Sequence, residues 1–283
     1  MQLSYDPDEA IGHLIEADHL LARIIQQAGP FTHRPEKMQS PFQALFRAIV
    51  YQQLNGKAAA TILQRVVDLL PKQTGVTPEG LLELDDEPLR GAGLSRSKMA
   101  AIRDLAAKTI DGTVPTLAKL KKMDDTEIVE RLVQVRGIGP WTVEMLLMFR
   151  LGRPDVLPVS DFGMRNGFML IYGLDAMPSP QQITEHAERW RPYRSVASWY
   201  MWRAVDLHRQ SKPQVEKKNV AAKVAVLQAP AKKASSKKEG VTKRVAKKVA
   251  AKKSVKTTVV AKSVTTKTSV RKGAKTSPKG KRR

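Results

Sequence analysis

Two glycines, a proline and a tryptophan lie close together in the segment VRGIGPWTVEML, residues 135–146. Gly137 and Gly139 allow positive φ angles and a close approach of another molecule to the backbone. Pro140 favours the first turn of a helix, where free N–H groups and a partial positive charge attract an anion. The segment therefore predicts a turn between two helices that can hold a phosphate, although many such turns are plain connections.

An aspartate follows this segment at the end of the loop DVLPVS, residues 155–160. Asp161 lies at a predicted helix start, with the apolar residues Val159 and Phe162 beside it. Taken alone, an aspartate in this position is explained by helix capping. It comes one helix and one loop after the glycine turn.

The elements that must position these residues are helical. Apolar residues recur at helical spacing from Pro7 to Gly29, and SPFQALFRAIVYQQLNGKAAATILQRVVDLL predicts two helices separated at Asn55 and Gly56. No pair of alternating segments favours a β-hairpin. The sequence predicts an all-α fold of about ten short helices.

The composition excludes several classes of protein. The chain has 283 residues and no cysteine, which excludes disulfides, cysteine-bound zinc and a cysteine-bound iron–sulfur cluster. The N-terminal segment MQLSYDPDEA is not a secretory signal, and no apolar run has the length of a membrane span. We therefore expect an intracellular protein.

The positive charge is concentrated at the C-terminus. Residues 211–283 contain 24 Lys and Arg and 2 acidic residues, whereas the first 210 residues contain 25 of each sign. A segment without aromatic residues and with this charge is predicted to be disordered. It could serve only solubility, but we favour an arm that binds DNA phosphates nonspecifically. Membrane-surface binding is a weaker alternative because the segment has no apolar face.

The order of a GxG hairpin, one helix, a loop and an aspartate resembles the helix–hairpin–helix (HhH-GPD) DNA glycosylase superfamily. Three further segments resemble its 3-methyladenine DNA glycosylase II family. They are RAIVYQQLNGKAA, GLSRSKMAAIRDLA and AERWRPYRSVASWYMWRA. The likeness spans roughly residues 8–210 and matches the short form, which lacks the N-terminal β domain of the longer bacterial enzymes.

The resemblance implies two helical subdomains with a cleft between them. Residues 1–38 and 156–210 would form one subdomain and residues 39–155 the other, with the hairpin at about 124–151 and the tail at 211–283. It also implies an enzyme that excises alkylated purines, of the 3-methyladenine and 7-methylguanine type, from double-stranded DNA. We expect this enzyme to be a monomer. Bifunctional relatives carry a lysine where this chain has Trp141, so strand cleavage through an imine is not expected.

The resemblance assigns roles to individual residues. Asp161 would be catalytic, and the base pocket would consist of Trp202, Trp141, Phe162, Tyr51 and Phe42. Gln53 or Leu54 would fill the gap that a flipped base leaves in the duplex. Contacts to the DNA backbone would come from Gly137, Gly139, Thr142, Ser95 and Lys98. No cofactor is expected, apart from a structural Na⁺ or K⁺ at the carbonyls of Val133, Val135 and Ile138.

A second function remains open from the sequence. A noncatalytic DNA-binding protein could keep the hairpin fold and use the lysine-rich tail to coat DNA. Backbone binding alone does not require Asp161, Trp141 and Trp202 together, which favours the enzyme. Neither the selectivity for other bases, such as uracil or hypoxanthine, nor the partner of the tail follows from the sequence.

Overall fold

A computed structural model describes residues 3–227, with side chains described as far as residue 211. No β-strand occurs in this part of the chain, so the predicted all-α fold class is confirmed. In chain order the α-helices are α1 (Pro7–Ala17), α2 (His19–Ala28), α3 (Pro41–Tyr51), α4 (Gly56–Asp68), α5 (Pro78–Glu83), α6 (Asp86–Gly91), α7 (Arg96–Ile110), α8 (Leu117–Leu120), α9 (Asp125–Leu132), α10 (Pro140–Leu146), α11 (Phe162–Tyr172), α12 (Pro180–Ala187) and α13 (Arg194–Leu227).

The N-terminal helical segment is broken at Asp18, which corrects the expectation of one continuous helix. Asp18 has an extended backbone, with φ −151° and ψ 101°, and its carboxylate accepts the N–H groups of Leu20 and Leu21 at the start of α2. The same carboxylate accepts hydrogen bonds from the side chains of Tyr172 and Trp190. Capping and these distant partners outweigh the helical periodicity of the local sequence.

The last helix extends past the predicted end of the folded core. We expected the tail to begin at residue 211, but α13 continues to Leu227. The rest of the predicted tail, residues 228–283, lies outside the described residues. Although α13 has 34 residues, no helix in the described range is both long and apolar enough to cross a membrane.

The buried apolar side chains form two clusters. One is drawn from residues 38–156, and the other combines residues 10–31 with residues 164–201. The side chain of Trp202 packs against both clusters. Residues 3–227 belong to one compact unit, so the division into two subdomains stays a prediction.

The hairpin segment connects α9 to α10, and α10 passes directly into a π-helical turn at Leu147–Leu151. Such turns occur often at functional sites, because the extra residue re-aims the side chains that follow it. Here the turn contains Phe149, whose ring lies 5.7 Å from that of Trp202. The hairpin, α10 and α13 therefore meet near one point.

Candidate active site

Asp161 lies at the N-terminus of α11 and caps it. Its Oδ1 accepts the backbone N–H of Met164 at 2.6 Å. The same oxygen accepts the indole N–H of Trp202 at 2.7 Å, and Oδ2 accepts the indole N–H of Trp141 at 2.9 Å. Capping alone would not require two indole donors, so these bonds fix the position and orientation of the carboxylate.

The two tryptophans reach Asp161 from separate parts of the chain. Trp141 is in the first turn of α10, directly after the hairpin, and remains 45% exposed. Trp202 is on α13 and is partly buried between the two apolar clusters. Three segments that are far apart in sequence thus converge on one partly buried carboxylate.

Gly163 allows this convergence. A Cβ atom built on Gly163 would lie 2.9 Å from Cδ1 of Trp202 and 3.2 Å from Oδ1 of Asp161. The first distance is too short for two carbon atoms, so any side chain must displace the indole or the carboxylate.

Gly163→Ala should therefore lower the rate of the reaction that Asp161 supports by about tenfold, because a displaced indole weakens its hydrogen bond to the carboxylate. We expect the protein to stay folded, since Trp202 can shift within a partly open site. Single-turnover kinetics and thermal unfolding measure the two effects. Gly91→Ala is the matched control, because a Cβ there meets nothing within 4 Å. An unchanged rate for Gly163→Ala would contradict this account of the site.

A cavity of about 610 Å³ opens between α3 and α10, beside Trp141. Of the residues predicted for the site, Tyr51, Gln53, Trp141 and Thr142 line it. Most of the remaining lining is apolar and comes from Ala44, Leu45, Ala48, Met145, Leu146 and Phe149. A flat apolar group between two aromatic side chains suits this space.

Three residues predicted for the base pocket do not line this cavity. Phe42 is only 3% exposed and packs against Phe46 in the core, so its assignment to the pocket is wrong. Phe162 points into solvent and is 70% exposed. Trp202 lies beyond Phe149, where it faces a second, smaller cleft. Its contact with Asp161 is its direct connection to the site, and a stacking role stays a prediction.

The glycine turn has one residue that needs glycine for its backbone. Gly137 has φ +80°, whereas Gly139 has an extended backbone with φ −101° and caps α10. Gly137 thus uses the positive φ that glycine allows, whereas Gly139 does not. Space is open where a Cβ of Gly139 would lie, which keeps the N-terminus of α10 accessible to a ligand.

Lys98 is not a free cation on the surface. Its ammonium donates to the carbonyls of Val50 at 2.7 Å and Gln52 at 2.9 Å, at the C-terminal end of α3. Burial lowers its pKa below the ordinary lysine value. Lys98 thus holds the end of α3, which corrects its assignment as a phosphate contact. The Ser95 hydroxyl accepts the backbone N–H of Lys98 and thereby caps α7.

The segment after α3 is connected to the hairpin. The Gln52 side chain donates to the Gly137 carbonyl at 2.8 Å. Sequence reasoning missed this bond and the Lys98 contacts, because both join residues far apart in the chain. Together they hold the two predicted duplex-filling residues, Gln53 and Leu54, next to the hairpin.

Gln53 has a strained backbone. Its φ of +58° is in the left-handed region, and it is the one non-glycine residue there among residues 3–227. This conformation costs an L-residue about 1–2 kcal/mol, and such strain tends to be kept where a side chain must be presented. Leu54 is 40% exposed, so both candidates point outward, and the choice between them stays a prediction.

Two substitutions at Gln53 separate strain from side-chain function. Gln53→Gly should raise the free energy of unfolding by up to about 1 kcal/mol, because glycine accepts this φ without strain. Gln53→Ala keeps the backbone strain, so it should not raise the free energy of unfolding. If Gln53 fills the duplex, both variants should lose activity on DNA by a similar factor, while Leu54→Ala loses less. The reverse order would assign the role to Leu54.

A second carboxyl group lies near Asp161. One oxygen of Glu144, Oε2, is buried and has no hydrogen-bond partner in the part of the chain that is described. Burial and the neighbouring Asp161 carboxylate raise the pKa of Glu144 to about 7. Below that pH Glu144 is mostly protonated and neutral.

The predicted monovalent cation site is formed by backbone atoms. The carbonyl of Val135 accepts the N–H of Ile138 at 3.0 Å, and a carbonyl oxygen has a second lone pair for a cation. A cation at the carbonyls of Val133, Val135 and Ile138 stays a prediction.

Comparison with known proteins places this geometry in a family. Residues 46–192 match the model of the HhH-GPD superfamily base excision DNA repair protein, a range that includes the hairpin, Trp141 and Asp161. The chain belongs to this superfamily. DNA-3-methyladenine glycosylase 1 of Schizosaccharomyces pombe is 35% identical to this chain over 208 residues, which cover 73% of this chain and 91% of that protein.

Two solved structures extend the similarity to the fold. The S. pombe 3-methyladenine DNA glycosylase Mag1, in complex with abasic DNA, aligns with a TM-score of 0.60 at 35% identity, covering 69% of this chain and 95% of Mag1. A DNA-3-methyladenine glycosidase from Bacillus halodurans aligns with a TM-score of 0.62 at 34% identity, covering 72% of this chain and 91% of that protein. Both are similar to this chain over most of the residues described.

Proposed function

We propose that this protein is a monofunctional DNA glycosylase of base excision repair that removes alkylated purines. The observation that carries the proposal is the carboxylate of Asp161, held by the indole N–H groups of Trp141 and Trp202 beside an aromatic cavity. A protein that only binds the DNA backbone has no use for such a carboxylate. The superfamily and the names of the relatives support the same conclusion.

The chemistry follows from the charge of the substrate. The sugar of a stacked nucleotide is inaccessible, so the base must first leave the duplex. A purine methylated at N3 or N7 is cationic in DNA, and it departs as a neutral base with the electrons of the N-glycosyl bond. The sugar becomes an oxocarbenium-like cation, which the Asp161 carboxylate stabilises. Water then adds to C1′, and its proton passes to Asp161.

The remaining predicted residues support base flipping. Trp141 provides an aromatic surface on which a cationic purine stacks favourably, and Tyr51 adds a second ring to the lining of the cavity. Gln53 or Leu54 replaces the flipped base in the duplex. The backbone N–H groups of Gly137 and Gly139 and the hydroxyl of Thr142 bind a phosphate at the N-terminus of α10. These roles depend on DNA bound across the cavity.

Free base release from methylated DNA tests the substrate class. Duplex DNA treated with a methylating agent is incubated with the protein, and released bases are separated by chromatography. We expect 3-methyladenine and 7-methylguanine in amounts that grow with time. Release of neither base, with retained DNA binding, would contradict the proposal.

The monofunctional mechanism has a separate test. Trp141 has no amine, so no imine can form at this position, and borohydride should trap no covalent protein–DNA complex. The abasic strand should stay intact until it is treated with alkali. A trapped complex would show that another amine performs strand cleavage.

The proposal extends to an intracellular, DNA-associated monomer with a basic arm. Residues 228–283, which lie outside the described range, carry most of the excess positive charge. A chain ending at residue 227 should bind undamaged DNA more weakly, with a smaller slope of log affinity against log salt, because fewer counterions are released. Binding titrations at several salt concentrations measure this. An equal slope for both chains would contradict the arm.

A further inference from the structure

The charges that line the cavity do not balance. Its charged residues are Glu36, Arg47 and Arg150. Arg150 forms an ion pair with Glu36, with 2.8 Å between Nη1 and Oε2. Arg47 takes part in no salt bridge within the described chain. One uncompensated positive charge therefore remains at the wall of the cavity.

This charge lies on one of the two aromatic surfaces. The guanidinium carbon of Arg47 is 4.1 Å from the centroid of the Tyr51 ring. The two residues are one helical turn apart on α3, so this contact is built into the helix. A cationic base that stacked on the same face of Tyr51 would have to displace the guanidinium or lie against it.

Like charges repel most in a site from which water has been displaced. A neutral purine experiences no such repulsion. A neutral 6-oxopurine also offers O6 and N7 as acceptors, which match the forked donors of an arginine. A cationic purine methylated at N7 has lost that acceptor. The same arginine thus distinguishes two classes of base by charge and by hydrogen bonding.

We propose that Arg47 is a specificity-determining residue, which disfavours cationic bases relative to neutral 6-oxopurines in the cavity. This inference rests on the proposed glycosylase function. It does not make Arg47 catalytic, because Arg47 lies on Tyr51 and is not bonded to Asp161. The cationic charge that weakens the N-glycosyl bond still promotes excision, and Arg47 moderates that advantage.

The test compares two duplexes that differ only at one base, 7-methylguanine or hypoxanthine. Single-turnover excision rates are measured for the wild type, Arg47→Gln and Arg47→Lys. Arg65→Gln is the matched control, because Arg65 is an exposed arginine on α4 that does not line the cavity. For Arg47→Gln we expect the ratio of the 7-methylguanine rate to the hypoxanthine rate to rise about tenfold, which corresponds to the loss of one close charge repulsion. Arg47→Lys keeps the charge but loses the forked donors, so it should raise the ratio by less than Arg47→Gln, and Arg65→Gln should change it little.

Salt dependence gives a readout that a structural role would not change. In the wild type the ratio of the 7-methylguanine rate to the hypoxanthine rate should rise with salt concentration, because salt screens the repulsion between Arg47 and the cationic base. In Arg47→Gln this ratio should stay constant. Equal loss of both rates in Arg47→Gln would overturn the proposal and assign Arg47 to DNA binding. A wild type that excises 7-methylguanine but no hypoxanthine, unaltered in Arg47→Gln, would also overturn it. A wild type that releases neither base would instead contradict the proposed glycosylase function.

Discussion

Replacing Asp161 with asparagine should lower the rate of base release by about a thousandfold while the protein stays folded and binds DNA. Asparagine is as good a helix cap as aspartate, so the bond from Met164 N–H to the side-chain oxygen can persist. The carboxylate charge is lost. In the native protein both Asp161 oxygens accept an indole N–H, one from Trp141 and one from Trp202. The asparagine amide has only one oxygen, so its NH₂ group faces one of these two donors and that hydrogen bond is lost.

Asp161→Ala is the companion variant, because it removes both the charge and the cap. It should lose as much activity as Asp161→Asn and, in addition, about 1 kcal/mol of stability. Single-turnover base release and thermal unfolding separate the two effects. If Asp161→Asn kept most of its activity, Asp161 would be only a helix cap.

Gly167→Ala should destabilise the protein by at least about 3 kcal/mol, the largest effect expected from any glycine in the described chain. A Cβ built on Gly167 would overlap the carbonyl oxygen of Met201, a backbone atom that cannot rotate away. The substitution must separate α11 from α13. These two helices hold Asp161 and Trp202, so any folded fraction should also lose activity.

Gly12→Ala is the control for this prediction. Gly12 is inside α1, and a Cβ there meets nothing within 4 Å. Alanine should therefore stabilise α1 by about 0.5–1 kcal/mol. Denaturant unfolding of the two variants and the wild type measures the expected loss of stability in Gly167→Ala and the expected gain in Gly12→Ala. A Gly167→Ala variant as stable as the wild type would show that α11 and α13 pack less closely than described.

Local sequence signals predicted the elements of the site well. Ser40 and Asn55 cap the two helices predicted between residues 40 and 70 with their side chains, which is the type of signal that short stretches contain. The hairpin and the capping position of Asp161 were predictable for the same reason. The break at Asp18 was not, because its partners Tyr172 and Trp190 are far away in the chain.

The contacts between elements could not be predicted from the sequence. Lys98 has the type and spacing of a phosphate-binding residue, yet its ammonium bonds to the end of α3. Phe42 has the type of a pocket residue, but it is on the buried face of α3, whereas Tyr51 lines the cavity. The family resemblance supplied Asp161, Trp141 and Trp202 as a group, and their hydrogen bonds appear only in three dimensions.

The most direct test of the central claim measures DNA binding and base release on the same sample. A duplex with a single 7-methylguanine is incubated with excess wild-type protein, and bound DNA, free base and strand breaks are quantified together. The account predicts complete binding, release of one base for each duplex, and an unbroken strand until alkali is added. Complete binding without any released base would contradict it and would show that the protein is a DNA-binding module.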